Sequence, residues 1–274
     1  MTTIAIPTAT ERPAPSGANR LAWSAQDMLT ITWSNLRALS RTPEAVFFST
    51  LQPIMFTLLF VYVFGGAIHI PGIPYVDYLM PGIYVQTVAF GAVSTAVGLS
   101  EDLNKGLIER FRALPMARSA VLAGRTTADL VRNVFVVVLI SVVGFAVGFR
   151  ISTDFGLFLC GLLIVLLFSY TLCWGFATLG LSAANAETAQ IMVFPVLFPL
   201  IFASSAFVPV SSMPGWLQAF AKHQPVTQVV DAARSLMTGG SLQDTGAVWA
   251  ALAWCAGLLL VLVPLAVRKY RRVA

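Results

Sequence analysis

Six long stretches of this chain contain no Asp, Glu, Lys or Arg: residues 45–67, 79–100, 133–149, 157–184, 189–210 and 246–267. A helix of about 20 apolar residues crosses a hydrocarbon core, and inside lipid every backbone polar group must find its partner within the protein. Stretches of this kind dictate an all-α membrane protein with six transmembrane helices. The third, at 17 residues, is the shortest. Arg132 and Arg150 at its ends would snorkel to the two interfaces and let it span. Composition agrees, with 11% charged residues and a mean hydropathy of +0.80, against roughly 25% charged in an average soluble domain.

The net charge of +5 would suit a nucleic-acid binder if the basic residues were clustered on a soluble surface. Here they are sorted by loop, so no nucleic-acid partner is expected. Four Lys/Arg precede the first span, six lie in 101–132 and four follow Val267, leaving only Arg150, Lys222 and Arg234 for the opposite side. Cytoplasmic loops carry the excess of Lys and Arg. That places both termini in the cytoplasm of a multi-pass protein of the cell membrane. Residues 1–20, rich in Pro and Thr with no apolar core, read as a disordered cytoplasmic tail and not a secretory signal. Residues 21–267 form the transmembrane domain, and 268–274 form a basic cytoplasmic tail.

Within that domain, residues 21–41 place Leu21, Ala25, Met28, Leu29, Trp33, Leu36 and Leu39 on one helical arc and polar residues opposite. This pattern predicts an amphipathic helix in the membrane plane. Residues 101–133 then hold ten of the 29 charged residues of the chain. Read as a helix ending at Pro115, they put Leu103, Leu107, Phe111 and Leu114 on one face and Glu101, Lys105, Glu109 and Arg112 on another. Taken alone, such an element is either a solvated loop helix or a docking surface.

Other features are quieter. The second span is polar and rich in small residues, with Ser94 and Gly98 at the spacing that lets helices approach closely. In the fourth, Ser169, Tyr170, Thr171, Cys173 and Thr178 would pack between helices or line a pathway. The fifth contains Pro195 and Pro199, hinge candidates because each removes a backbone donor. The outer segment 211–244 reads as two short helices, opened by Met213-Pro214-Gly215 and by Gln224-Pro225, the second with Asp231 and Arg234 at i, i+3 and a stop at Gly239-Gly240. Trp216 is placed as an interfacial anchor. Cys160, Cys173 and Cys255 fall inside spans without a CxxC pair, and His69 stands alone in a short loop, so no metal site is expected.

Three stretches resemble the type-2 ABC exporter permeases, most closely the daunorubicin-resistance-like drug-efflux membrane subunits of actinobacteria. Lys105-Gly106-Leu107-Ile108-Glu109-Arg110-Phe111-Arg112-Ala113-Leu114-Pro115 is similar to the family's charged region after the second span. Phe207-Val208-Pro209 through Met213-Pro214-Gly215-Trp216-Leu217 is similar to its outer "fPl…lPgWlq" stretch, and His223-Gln224-Pro225-Val226-Thr227 through Asp231-Ala232-Ala233-Arg234 to its "hqPvt…vdAlR". The resemblance implies a permease that pairs with a second permease, as homo- or heterodimer, and with two copies of a separate ATP-binding-cassette ATPase. It makes Glu101, Lys105, Leu107, Glu109, Arg110, Phe111, Arg112 and Pro115 part of a coupling helix seated on that ATPase. Pro209, Pro214, Trp216, Pro225, Asp231 and Arg234 become an extracellular motif.

No G-x-x-x-x-G-K-[ST] phosphate loop and no convergent acid, base and nucleophile set occur, so the chain itself is no enzyme. ATP and Mg would belong to the partner, and the chain needs no cofactor of its own. The expected function is export of a hydrophobic, drug-like or lipid-like substrate. A lipid or glycan exporter of the same superfamily shares every feature above. An ion-coupled transporter would place Asp, Glu or His inside its spans, which these six stretches lack; a non-transporting scaffold would not need the large charged element.

Overall fold

The computed structural model describes residues 43–68, 70, 72–105, 118–239 and 245–273. The expected amphipathic helix 21–41, His69 and most of the coupling segment (106–117) lie outside the described residues. Among those described there are eight α-helices and no strand: α1 Pro43–Leu59, α2 Tyr75–Asn104, α3 Arg118–Val147, α4 Phe155–Gly180, α5 Ala186–Phe202, α6 Gly215–His223, α7 Pro225–Thr238 and α8 Thr245–Val273. A π-helical turn, Phe60–Phe64, continues α1. By length and composition α2, α3, α4 and α8 can cross a membrane, while α5 and the end of α1 are shorter apolar helices.

Local chemistry sets the helix ends. Pro43 opens α1 and Pro225 opens α7, where the missing N–H costs nothing. Asp154 caps α4 by accepting from the Gly156 N–H at 2.9 Å, and Asn185 caps α5 by accepting from Thr188 at 2.8 Å. α3 stops at Gly148, whose φ of 110° only glycine adopts without strain. Beyond it the Phe149 N–H reaches back to the Gly144 carbonyl at 2.9 Å.

α2 is the hub. It packs against α3, α4, α5 and α7, and its most apolar stretch is 72% buried, against 17% for α8. Small residues make this possible. A Cβ on Gly98 would collide with the Arg125 guanidinium, and one on Gly91 with the Asn133 amide. The small-residue spacing in the second span thus serves helix packing, with polar side chains filling the space.

Three elements depart from the sequence expectation. The charged stretch before residue 133 is not separate from the third span: α3 runs unbroken from Arg118, so residues 133–149 are the second half of a 30-residue helix. Arg132, expected to snorkel, is instead fixed inside the bundle. At the other end of the loop, Glu101–Asn104 form the last turn of α2, because nothing in Thr95–Asn104 breaks a helix. The fifth span ends at Phe202, not 210, and Ala203–Pro209 turns back along the bundle. α7 follows it inward. Val226, Val229, Val230, Ala233 and Met237, at helical spacing, are all 1% exposed or less, packed against α2, α4 and α8.

Candidate functional site

Two polar clusters interrupt the apolar bundle. The inner one joins α2 to α3. Arg125 donates to Asp102 at 2.5 Å and lies 4.0 Å from Asp129, and Arg132 lies 3.4 Å from the other oxygen of Asp129. Positions 125, 129 and 132 share one face of α3, so charges alternate along a ladder. Asp129 also accepts from Thr95 at 2.6 Å and Ser94 at 3.3 Å, while Arg132 donates to the Gly91 carbonyl at 2.6 Å. One turn further, Asn133 donates to Ser169 of α4 at 2.7 Å. Asp129 and Arg132 side chains are only 10% and 13% exposed. Charges so buried persist because each is paired and hydrogen-bonded.

This ladder stands at both ends of the 106–117 segment. Glu101 and Lys105 form the expected i, i+4 pair at 2.9 Å, and the hydrogen bond that Lys105 donates to the Glu101 carboxylate raises the lysine above its ordinary pKa. Leu103, expected on the docking face, packs instead with a cluster of this chain's own residues that includes Leu99, Leu122, Trp174 and Tyr270. Leu107, Glu109, Arg110, Phe111, Arg112 and Pro115 lie outside the described residues. Sequence reasoning singles out none of Asp102, Arg125 and Asp129, and gives Arg132 only the role of snorkelling at the end of a span. The spacing 125, 129, 132, read with the Ser and Thr of the second span, is the signal that could have found them.

The outer cluster centres on Arg234 of α7. Its side chain, 4% exposed, pairs with Asp231 at 2.7 Å, donates to the Tyr78 carbonyl at 3.1 Å and to the Ser205 carbonyl at 2.8 Å, and lies 3.7 Å over the Tyr78 ring. Tyr78 and Tyr75 donate to the carbonyls of Ser205 and Phe207, each at 3.2 Å, and Gln224 donates to that of Ala203. Together these bonds engage the carbonyls of Ala203, Ser205 and Phe207 in the irregular backbone between α5 and α6, where buried polar groups need partners. Of the outer motif, then, Asp231 and Arg234 come together. Pro209, Pro214 and Pro225 punctuate the start of the 3₁₀ turn, α6 and α7, and Trp216 points away at 76% exposure.

Pro195 and Pro199 lie on an exposed face of an unbroken α5, beside Ile191 and Phe198. Ser169 accepts from Asn133 across the α3–α4 contact, while the buried hydroxyls of Thr171 and Thr178 donate to carbonyls of their own helix. Cys173 and Cys255 are buried and Cys160 is exposed, all three free.

The ABC-2 type transporter family model matches residues 26–238. The daunorubicin resistance ABC transporter permease protein DrrB1 of Streptomyces coeruleorubidus is 35% identical over 262 residues, 95% of this chain and 89% of that protein. The probable doxorubicin resistance ABC transporter permease protein DrrC of Mycobacterium tuberculosis is 29% identical over 80% of this chain and 79% of its own. The putative transport permease ycf38 of Cyanophora paradoxa is 26% identical over 74% and 71%. With its apolar helices, its buried polar clusters and this similarity along nearly its whole length, the chain belongs to the ABC-2 type transporter family and is a multi-pass membrane permease related to drug-resistance transporters.

Proposed function

We propose that this chain is the membrane-spanning subunit of an ATP-driven exporter that moves a hydrophobic, drug-like or lipid-like molecule out of the cytoplasm. ATP and Mg are bound by a separate ATPase subunit, present twice beside two permeases. Six helices span: α1 with its π turn, and α2, α3, α4, α5 and α8. The 17-residue α5 is at the short limit for crossing. α6 and α7 lie towards the outer face, and both termini are cytoplasmic.

The observation that carries this reading is the ladder Asp102–Arg125–Asp129–Arg132, which clamps α2 to α3 where the coupling segment leaves one and enters the other. A push on residues 106–117 is thereby delivered to two helices as one body. The same ladder bears on the ion-coupled alternative. Asp129 is the acidic residue within the apolar part of α3, and both its oxygens are engaged by guanidinium and hydroxyl groups. That is the environment of a structural anchor. The drug-like substrate rests on similarity to the daunorubicin and doxorubicin resistance permeases. The test is co-expression with a neighbouring ATP-binding-cassette ATPase, followed by purification and ATP-driven accumulation of drug in inside-out vesicles. A stable complex with ATP-dependent uptake is expected; uptake driven by an ion gradient without ATPase would refute the reading.

A further inference from the structure

Between α1, α2 and α3 lies a cavity of about 110 Å³, walled by Gln52, Phe56, Gln86, Thr87, Phe90 and Arg132 among others. Gln86 and Thr87 are 4% and 7% exposed, yet the Gln86 carboxamide oxygen and the Thr87 hydroxyl have no hydrogen-bond partner. Leaving such a group buried and unpaired costs about 1–3 kcal/mol. Arg132 brings no free charge, because Asp129 and the Gly91 carbonyl hold it. The polar wall therefore carries no free charge and offers an unpaired acceptor, the Gln86 oxygen, beside a hydroxyl that can donate or accept. Phe56 of α1 and Phe90 of α2, one turn beyond Gln86, supply the aromatic part of the lining. From Phe56 a series of ring contacts runs through Phe60, Phe207, Phe202 and Phe198 back to Phe90, with centroids 4.4 to 6.1 Å apart.

We propose that this cavity is a binding site for the hydroxyl-bearing end of an uncharged aromatic amphiphile, with Gln86 and Thr87 as its hydrogen-bonding partners and Phe56 and Phe90 as its apolar wall. A hydroxyl suits the site because it donates and accepts at once, and the terminal torsion of a Gln side chain is soft enough to turn either amide atom towards it. An ammonium would meet no carboxylate, since no Asp or Glu lines the cavity, and a carboxylate would meet only Arg132, whose charge Asp129 already pairs. Arg132 belongs to both the cavity and the ladder, so occupancy of the cavity bears on the helix pair that the coupling segment is expected to move. This assignment deepens the export reading and rests on it for its physiological meaning.

The experiment uses the purified full-length chain in phosphatidylcholine nanodiscs, a lipid whose headgroup has no hydroxyl or N–H donor. Saturable binding of tritiated 2-naphthalenemethanol is compared with that of its methyl ether, with empty nanodiscs as background. The alcohol should bind about tenfold more tightly, equivalent to ~1.4 kcal/mol. The preference should fall below about twofold in Gln86→Leu and in Thr87→Val, the second being nearly isosteric and serving where the first does not fold. Absence of saturable binding to wild type, equal affinity for alcohol and ether, or a full preference in folded Thr87→Val and Gln86→Leu would overturn the proposal. No ATPase or ATP is present, so a negative result speaks to the cavity alone and leaves the export reading to its own test.

Discussion

Asp129 makes more polar contacts than any other side chain of the inner cluster, to two arginines and two hydroxyls from two helices. Removing one partner of a buried charge set leaves the others desolvated without compensation, a loss of about 3–5 kcal/mol. Asp129→Ala should therefore lower the unfolding free energy in mixed micelles by roughly that amount. Asp129→Leu combined with Arg132→Met should recover part of it, since apolar replacement removes the stranded charge as well. A loss below about 1 kcal/mol for Asp129→Ala would mean that the ladder is solvated and structurally idle. Gly98 belongs to the same unit: the Arg125 guanidinium occupies the space a side chain would need there.

At the scale of elements, the outer cluster and the prolines of α5 make opposite contributions. Arg234 fixes α7 and the 203–209 segment to α2 through backbone carbonyls, which a fold uses to hold irregular chain still. α5 has the contrary character, with two prolines removing backbone donors on its exposed face. If those prolines let the helix bend as the pathway opens, Pro195→Ala together with Pro199→Ala should slow ATP-driven export in vesicles while leaving assembly intact. Unchanged transport would reduce them to packing features. These elements also show what sequence makes legible. Pro214-Gly215, Gln224-Pro225 and Gly239 mark the ends of α6 and α7, and the i, i+3 spacing of Asp231 and Arg234 foretells their ion pair, because each is decided by residues a few positions apart. The start of α3 was illegible for the converse reason. Arg125, Asp129 and Arg132 look like a solvated loop until Ser94, Thr95 and Asp102, some 23 to 35 residues away in sequence, neutralise them. The burial of α7 was half legible: its apolar stripe is plain at 226, 229, 230, 233 and 237, but the groove that receives it is built by three other helices.

For the molecule as a whole, orientation is the first quantity to establish, and basic residues supply the expectation. Cysteines introduced at exposed Ala184 and Ser211, one in each proposed aqueous face, should respond oppositely to an impermeant thiol reagent on intact cells. Labelling of Ser211→Cys without Ala184→Cys is expected, and the reverse would invert the topology. The central claim is that the segment following α2 couples a separate ATPase to the bundle. With Leu103 packed against its own chain, the sequence leaves Leu107, Phe111 and Leu114 as the apolar set proposed to meet a partner, and burying Phe111 is worth ~1.5–3 kcal/mol. The most direct measurement is the affinity of the ATPase for wild type, Phe111→Ala and Glu109→Lys in one reconstituted complex, read beside drug export. Phe111→Ala should weaken binding roughly ten- to a hundredfold, and Glu109→Lys should let ATP hydrolysis continue with export lost, because rim charges set register more than affinity. Wild-type binding and wild-type export in both variants would contradict the claim and leave the segment after Asn104, up to Pro115, as no more than a connection between two helices.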